Sequence, residues 1–160
     1  QIAIYLPISA VPITAQTFAV LFIAALFGPR LGALCVIAYI IEGAAGLPVF
    51  AAGRAGPAVL AGPTGGYLAG FVAAAYIVGL LAKAGWDKRT LSTIAAMAIG
   101  NAVIYAFALL WLTCLFGASR AVFAMGIYPF IAGDILKIAL AAIVLPSGWK
   151  ILEMLKTPGK

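Results

Sequence analysis

Histidine is absent from this chain, acidic residues number only 4 and cysteines only 2. Each scarcity excludes something. Without histidine, and with Cys35 and Cys114 in separate apolar runs, there is no ligand set for zinc or haem and no Cys/His catalytic pair. The two cysteines read as small buried hydrophobes, and no disulfide is required. Charged residues make up 9% of the chain, against about 25% in soluble domains. The net charge of +6 invites a nucleic-acid partner, but the cations are not gathered on one soluble basic face. A phosphate-binding loop is missing too. Gly62-Pro63-Thr64-Gly65-Gly66-Tyr67 is rich in glycine, but no strand precedes it and no Gly-Lys-Ser/Thr follows.

What is present is apolar sequence, 66% of residues, with a mean hydropathy of +1.19. The apolar runs are too many for a soluble core, so the chain reads as an integral membrane protein. Its 160 residues form a single transmembrane domain, residues 1–160. At about 20 residues per crossing, that length allows about six helices with short loops.

Gln1–Pro7 reads as the tail of a helix that begins upstream, and Pro7 and Pro12 bracket a turn. Helices are expected over Ile13–Phe27 and Leu31–Gly46, divided by the tight break Gly28-Pro29-Arg30. Pro48–Pro63 is rich in Gly, Ala and Pro and carries one charge, Arg54. It reads as a loop at the membrane surface, able to fold inward and to move. Gly65–Ala82 is the next helix, followed by the polar turn Gly85–Arg89. Thr90 or Ser92 can cap the helix that reaches Thr113. Gly117–Tyr128 is less regular, Pro129 restarts the last helix near the membrane, and that helix ends at Trp149-Lys150 before a charged tail, Glu153–Lys160.

The cations are asymmetric. One side receives Arg30, Lys83, Lys88, Arg89, Lys150, Lys156 and Lys160; the other receives Arg54 and Arg120. Positive residues concentrate on the cytoplasmic side. That puts the C-terminus inside, with Trp86 and Trp149 as inner interface anchors, and Pro48–Pro63 and Gly117–Tyr128 outside. Stripes of small residues, Gly62/Gly66/Gly70/Ala74 and Ala98/Ala102/Ala106, allow close helix approach in lipid. They serve packing within the chain or docking of another membrane subunit.

The last helix holds an acid and a base, Asp134 and Lys137, on one face. At membrane depth each costs roughly 2.5–3.5 kcal/mol on insertion scales, so such groups face inward and find partners. Two readings stand: an ion pair that staples helices, or polar hands for a small ligand reached from outside. Asn101, a lone amide in an apolar run, has the same two readings. Glu42 falls where an apolar residue is expected and has no assigned role.

Five motifs follow one another: Val11-Pro12-Ile13-Thr14-Ala15-Gln16-Thr17, Gly46-Leu47-Pro48-Val49-Phe50, Leu60-Ala61-Gly62-Pro63-Thr64-Gly65-Gly66-Tyr67-Leu68, Gly100-Asn101 and Gly133-Asp134-Ile135-Leu136-Lys137. In that order and spacing they resemble the BioY family, the biotin-specific S components of energy-coupling-factor vitamin transporters. The resemblance runs from Val11 to about Leu145. It implies an all-α, six-transmembrane-helix bundle whose first helix lies mostly upstream of Gln1. It implies capture of biotin from outside a prokaryotic cytoplasmic membrane, without enzymatic activity and without a cofactor. It also implies a partner module of a transmembrane T protein and two ABC-type ATPases, which alone use ATP. The alternative is a solo carrier for biotin or a related vitamin.

Biotin offers two ureido N–H donors, a ureido oxygen, an apolar thioether ring and a carboxylate. For such a ligand Asp134 can accept from the ureido N–H groups, Lys137 can donate to the ureido oxygen while Asp134 neutralises it, and Asn101, with a donor and an acceptor, can complete the set. Tyr67 and Tyr39 either wall the ring or anchor the interface. Arg54 either meets the carboxylate or is a plain surface arginine. Gly53, Gly56, Gly62 and Thr64 belong to the loop expected to gate the pocket.

Overall fold

The computed structural model describes residues 3–4 and 11–156, with residues 152–156 described by backbone only. Five helices carry the fold: α1 (Gln16–Ala44), α2 (Pro57–Ala61), α3 (Gly65–Lys83), α4 (Thr90–Phe116) and α5 (Arg120–Lys156). Two-residue strands β1 (Ala3–Ile4) and β2 (Ile13–Thr14) pair antiparallel, Ala3 opposite Thr14. Of the helices, α1, α3, α4 and α5 are long and apolar enough to cross a membrane. Their outer faces expose Ile41, Leu110 and Leu136 at 62%, 68% and 72%, which suits lipid rather than water. The chain is a multi-pass membrane protein.

Helix α1 is a hairpin rather than a rod. Gly28 has φ +78° and ψ −177°, a left-side conformation that glycine adopts without steric cost. Pro29 then supplies a preset φ for the first turn of the second arm. A Cβ on Gly32 would stand 2.8 Å from Ala24 Cα, and Gln16 Nε2 donates to Tyr39 Oη at 2.7 Å. In a straight helix residues 16 and 39 would be about 35 Å apart, at 1.5 Å per residue. The expected break at Gly28-Pro29-Arg30 is therefore where the chain doubles back.

Helix α3 is the hub. Gly70 brings it so close to α4 that a Cβ would meet the Ile104 backbone at 3.0 Å, and Gly66 lies against Trp111. Gly79 seats α3 on the Gly28–Pro29 turn. Ala74, Ala75 and Val78 are fully buried between these contacts. In lipid such close packing, rather than water expulsion, holds helices together. The Gly66/Gly70/Ala74 stripe thus packs within the chain, whereas Ala98, Ala102 and Ala106 are exposed on α4. Gly79→Val should overpack the hairpin turn by about 1–3 kcal/mol. The expected result is a lowered melting temperature, with the exposed Ala98→Val unchanged; equal melting of both variants would remove Gly79 from the hub.

Five expectations need correction. Ala3–Ile4 is extended and paired, not the tail of a helix; the rest of Gln1–Pro7 lies outside the described residues. The following helix starts at Gln16, not Ile13, because Ile13–Thr14 is engaged with β1 and Thr14 Oγ1 accepts the Gln16 N–H at 3.2 Å. Neither Thr90 nor Ser92 caps α4: Ser92 Oγ donates instead to the carbonyls of Trp86 and Arg89, at 2.7 and 3.0 Å. The irregular stretch expected over Gly117–Tyr128 is confined to residues 117–119, since α5 begins at Arg120 and continues through Pro129 and Pro146 to Lys156. Residues 157–160 of the expected charged tail lie outside the described residues. Cys35 and Cys114 are free but exposed, so the apolar surroundings of each are lipid and not a core.

Candidate functional site

The last helix presents Lys137 and Asp134 one turn apart, and the surrounding helices supply their partners. Lys137 Nζ lies 3.0 Å from Asp134 Oδ1 and donates to Thr17 Oγ1 on α1 at 2.8 Å. Tyr105 on α4 donates its O–H to Asp134 Oδ2. Asp134 is 5% exposed. A carboxylate so deep is tolerable only with charge and hydrogen bonds on both oxygens, and it has both. Three helices, α1, α4 and α5, meet at this cluster.

Above it lies a pocket with about 580 Å³ of empty space, its open mouth included. Lys137, Thr17, Gln16, Tyr39, Tyr67 and Tyr105 line one part of it, and Phe50, Phe71 and Phe130 supply apolar walls. Arg54 and Thr64 reach it from the loop. Among the described residues the lining holds two cations, Arg54 and Lys137, and no carboxylate. Such a pocket favours an amphipathic anion.

The hydrogen bonds already made decide what each wall can still offer. Tyr105 has given its O–H to Asp134, and Tyr67 has given its own to the Gly126 carbonyl at 2.7 Å. Both phenols keep only acceptor capacity for a ligand. Tyr39 receives the Gln16 amide, so its O–H is still a donor. Thr17, accepting from Lys137, likewise keeps a donor. Donors and acceptors therefore face the same small space, backed by aromatic rings: Phe130 stands 5.8 Å from Tyr67 and 6.5 Å from Tyr105, centroid to centroid.

The loop between α1 and α3 is docked. Phe50 is 1% exposed. Its ring occupies the space where Gly43 lacks a side chain, and it meets Tyr39 edge-on, 5.6 Å between centroids. Gly56 N–H donates to the Gly43 carbonyl at 2.7 Å, and Trp111 Nε1 on α4 donates to the Gly62 carbonyl at 2.9 Å. Thr64 Oγ1 donates to the Val59 carbonyl at 3.2 Å, and Gly53 holds φ +70° in the short 3-10 turn Ala51–Gly53.

The residues singled out from sequence separate into two groups. Lys137, Tyr67, Tyr39, Arg54 and Thr64 line the pocket together. Asp134 stands behind Lys137 and Tyr105, facing a groove between α4 and α5. Asn101, 7% exposed, lines that groove and a small crevice beside Lys137, not the pocket. Gly53, Gly56 and Gly62 shape the loop's backbone without lining the pocket. Glu42 is exposed near the end of α1 and takes no part. Thr17, Gln16, Phe50 and Tyr105 also line the pocket, and the sequence alone assigns them no role. Tyr105 was within reach of sequence reasoning: it follows Asn101 by one helical turn, on the same face.

The fold and site define a class: a multi-pass helical membrane protein with a small-molecule pocket built between its helices. The profile of the BioY family matches residues 1–154. This chain belongs to the BioY family. It is similar to the biotin transporter BioY of Thermotoga maritima, 38% identical over 142 residues, 88% of this chain and 82% of that protein. It is also similar to the probable biotin transporter BioY of Pyrococcus horikoshii, 41% identical over 138 residues, 86% of this chain and 80% of that protein. The crystal structure of the S-component for biotin from an ECF-type ABC transporter superposes with a TM-score of 0.80 at 23% identity. That alignment covers 98% of this chain and 82% of the other, and it shows a shared fold. The relatives are named as transporters, not enzymes.

Proposed function

We propose that this chain captures biotin from outside the cytoplasmic membrane of a prokaryote, as the S component of an energy-coupling-factor importer. The reading includes the six-helix bundle, to which the two arms of α1 with α3, α4 and α5 contribute five rods. The observation that carries it is the pocket itself: Lys137 and Arg54, two cations with no lining carboxylate, set among acceptor phenols and aromatic walls. Biotin matches this inventory. Its ureido oxygen takes the Lys137 ammonium, and its ureido N–H groups meet the acceptor oxygens of Tyr105 and Tyr67. Asp134, behind the pocket wall, holds the lysine and the phenol in register. The thioether ring lies against Phe130 and Tyr39, and the valerate carboxylate reaches Arg54. Asn101 acts from the second side of the Lys137 cluster. The loop Pro48–Pro63 gates entry. No cofactor takes part, and ATP is used by the two ATPases to which a T protein couples the chain.

Titration of the purified protein with biotin tests this. One-to-one saturable binding with a Kd of about 1 µM or tighter, about −8.2 kcal/mol or better, is expected. Biotin methyl ester, lacking the charge for Arg54, should bind more weakly. Absence of binding would end the proposal. Uptake into vesicles with and without the T protein and ATPases separates an energised importer from a solo carrier.

Orientation is part of the proposal. In a background with Cys35 and Cys114 replaced by alanine, an impermeant thiol reagent applied to intact cells should label Ala55→Cys and spare Lys150→Cys. The opposite pattern would turn the pocket toward the cytoplasm.

A further inference from the structure

At the end of the bundle opposite the pocket, the Phe27–Leu31 turn and the C-terminal part of α3 leave a cleft with about 1120 Å³ of empty space, open to its surroundings. Arg30 and Lys83 flank it, Leu26, Phe27, Leu31 and Leu80 form its apolar lining, and Tyr76 stands at its side. No acidic residue is among the described residues that line it. Among the described residues the ion pair is Lys137–Asp134, so neither cation of the cleft has a carboxylate partner among them. The cleft has fixed walls, because Gly79 clamps α3 to the Gly28–Pro29 turn. It lies at the same end as Lys88, Arg89 and Lys150, since Trp149 donates to Asp87 in the turn that follows α3.

We infer that this cleft is a binding site for an anionic phospholipid. The phosphodiester sits between Arg30 and Lys83, and an acyl chain lies along Leu26, Phe27 and Leu80. Two cations over an apolar groove match a headgroup that joins negative charge to hydrocarbon. A free phosphate ion would satisfy the cations but leave the apolar lining uncovered, so the site is assigned to lipid. A zwitterionic headgroup brings its own ammonium against the two cations and fits less well.

Detergent-solubilised protein is titrated with phosphatidylglycerol or with phosphatidylcholine of the same acyl chains, and retained lipid is counted by native mass spectrometry. The parent should retain phosphatidylglycerol at least tenfold more than phosphatidylcholine. Arg30→Gln/Lys83→Gln should lose that preference, while Arg89→Gln/Lys150→Gln, an equal loss of charge outside the cleft, should keep it. Millimolar inorganic phosphate should not displace the lipid. Helical circular dichroism and melting without lipid report folding. Should the double variant fail to fold, each single variant should lose the preference at least threefold. Equal retention of both lipids by the parent, a preference that survives in Arg30→Gln/Lys83→Gln, equal loss in the two double variants, or displacement by phosphate would each overturn the assignment.

Discussion

Lys137→Ala is expected to weaken biotin binding by about 2–5 kcal/mol, roughly thirtyfold to several-thousandfold. The substitution removes the ammonium that faces the pocket and leaves the Asp134 carboxylate, 5% exposed, with Tyr105 as its remaining donor. An abandoned buried charge also destabilises the fold, typically by about 3–5 kcal/mol. A fall in both affinity and melting temperature would thus fit a ligand contact and a helix staple equally well. A charge-balanced double variant separates them. Lys137→Met with Asp134→Asn removes both charges while keeping shape and a stem to pack. Neutral isosteres of a buried pair often restore or exceed the parent stability. The ligand-free protein should therefore recover most of its melting temperature, yet biotin should neither bind tightly nor raise that temperature. If the double variant binds as tightly as the parent, the pair is a staple and the ligand is held elsewhere.

The arrangement also explains which parts of the site were legible beforehand. Asp134 and Lys137 share a face at three-residue spacing, so one helix displays the pair whatever surrounds it. What the spacing could not convey is that the two point differently, the lysine into the pocket and the carboxylate behind it. That division is made by Thr17 on α1 and Tyr105 on α4, which are 120 and 29 residues distant in the chain. The break at Gly28-Pro29-Arg30 was legible because glycine and proline constrain the backbone locally. Pro129 was misleading for the opposite reason. Proline removes a helical donor, but in a membrane bundle neighbouring groups take over freed carbonyls. Here the Tyr67 hydroxyl donates to the Gly126 carbonyl in the turn before Pro129 and ties that turn of α5 to α3. The proline stays inside α5, so the helix spans the pocket wall instead of starting there. The cysteines show a related limit: an apolar run marks depth in the membrane, and only packing tells its core side from its lipid side.

Phe50→Ala is expected to free the loop over the pocket while leaving the helix bundle intact. Phe50 belongs to the loop, yet it is 1% exposed, with its ring on Gly43 and against Tyr39. Truncating a buried phenylalanine costs about 3–5 kcal/mol. Where that cost falls is the informative part. Besides the smaller side chain of Val59, 4% exposed in the core, the loop's other ties to the bundle include the hydrogen bonds Gly56 to Gly43 and Trp111 to Gly62, each worth only about 0.5–1.5 kcal/mol net. Without the ring they should not hold the segment closed. Amide exchange at Gly56 and Val59 should then speed up by about a hundredfold or more, while Val78 and Ile104 in the bundle stay protected. Arg54 would leave the pocket with the loop. Apparent affinity scales with the fraction of molecules in the competent state. A closed fraction cut to about one in a hundred would weaken biotin about a hundredfold, and ligand should slow the exchange again. Gly43→Leu tests the same contact from the other side, because a side chain there occupies the space the ring needs. It should reproduce both effects. Faster exchange spread evenly over loop and bundle would make Phe50 a pillar of the core rather than the anchor of a lid. Unchanged exchange and affinity in both variants would mean that the loop neither closes on this contact nor gates the pocket.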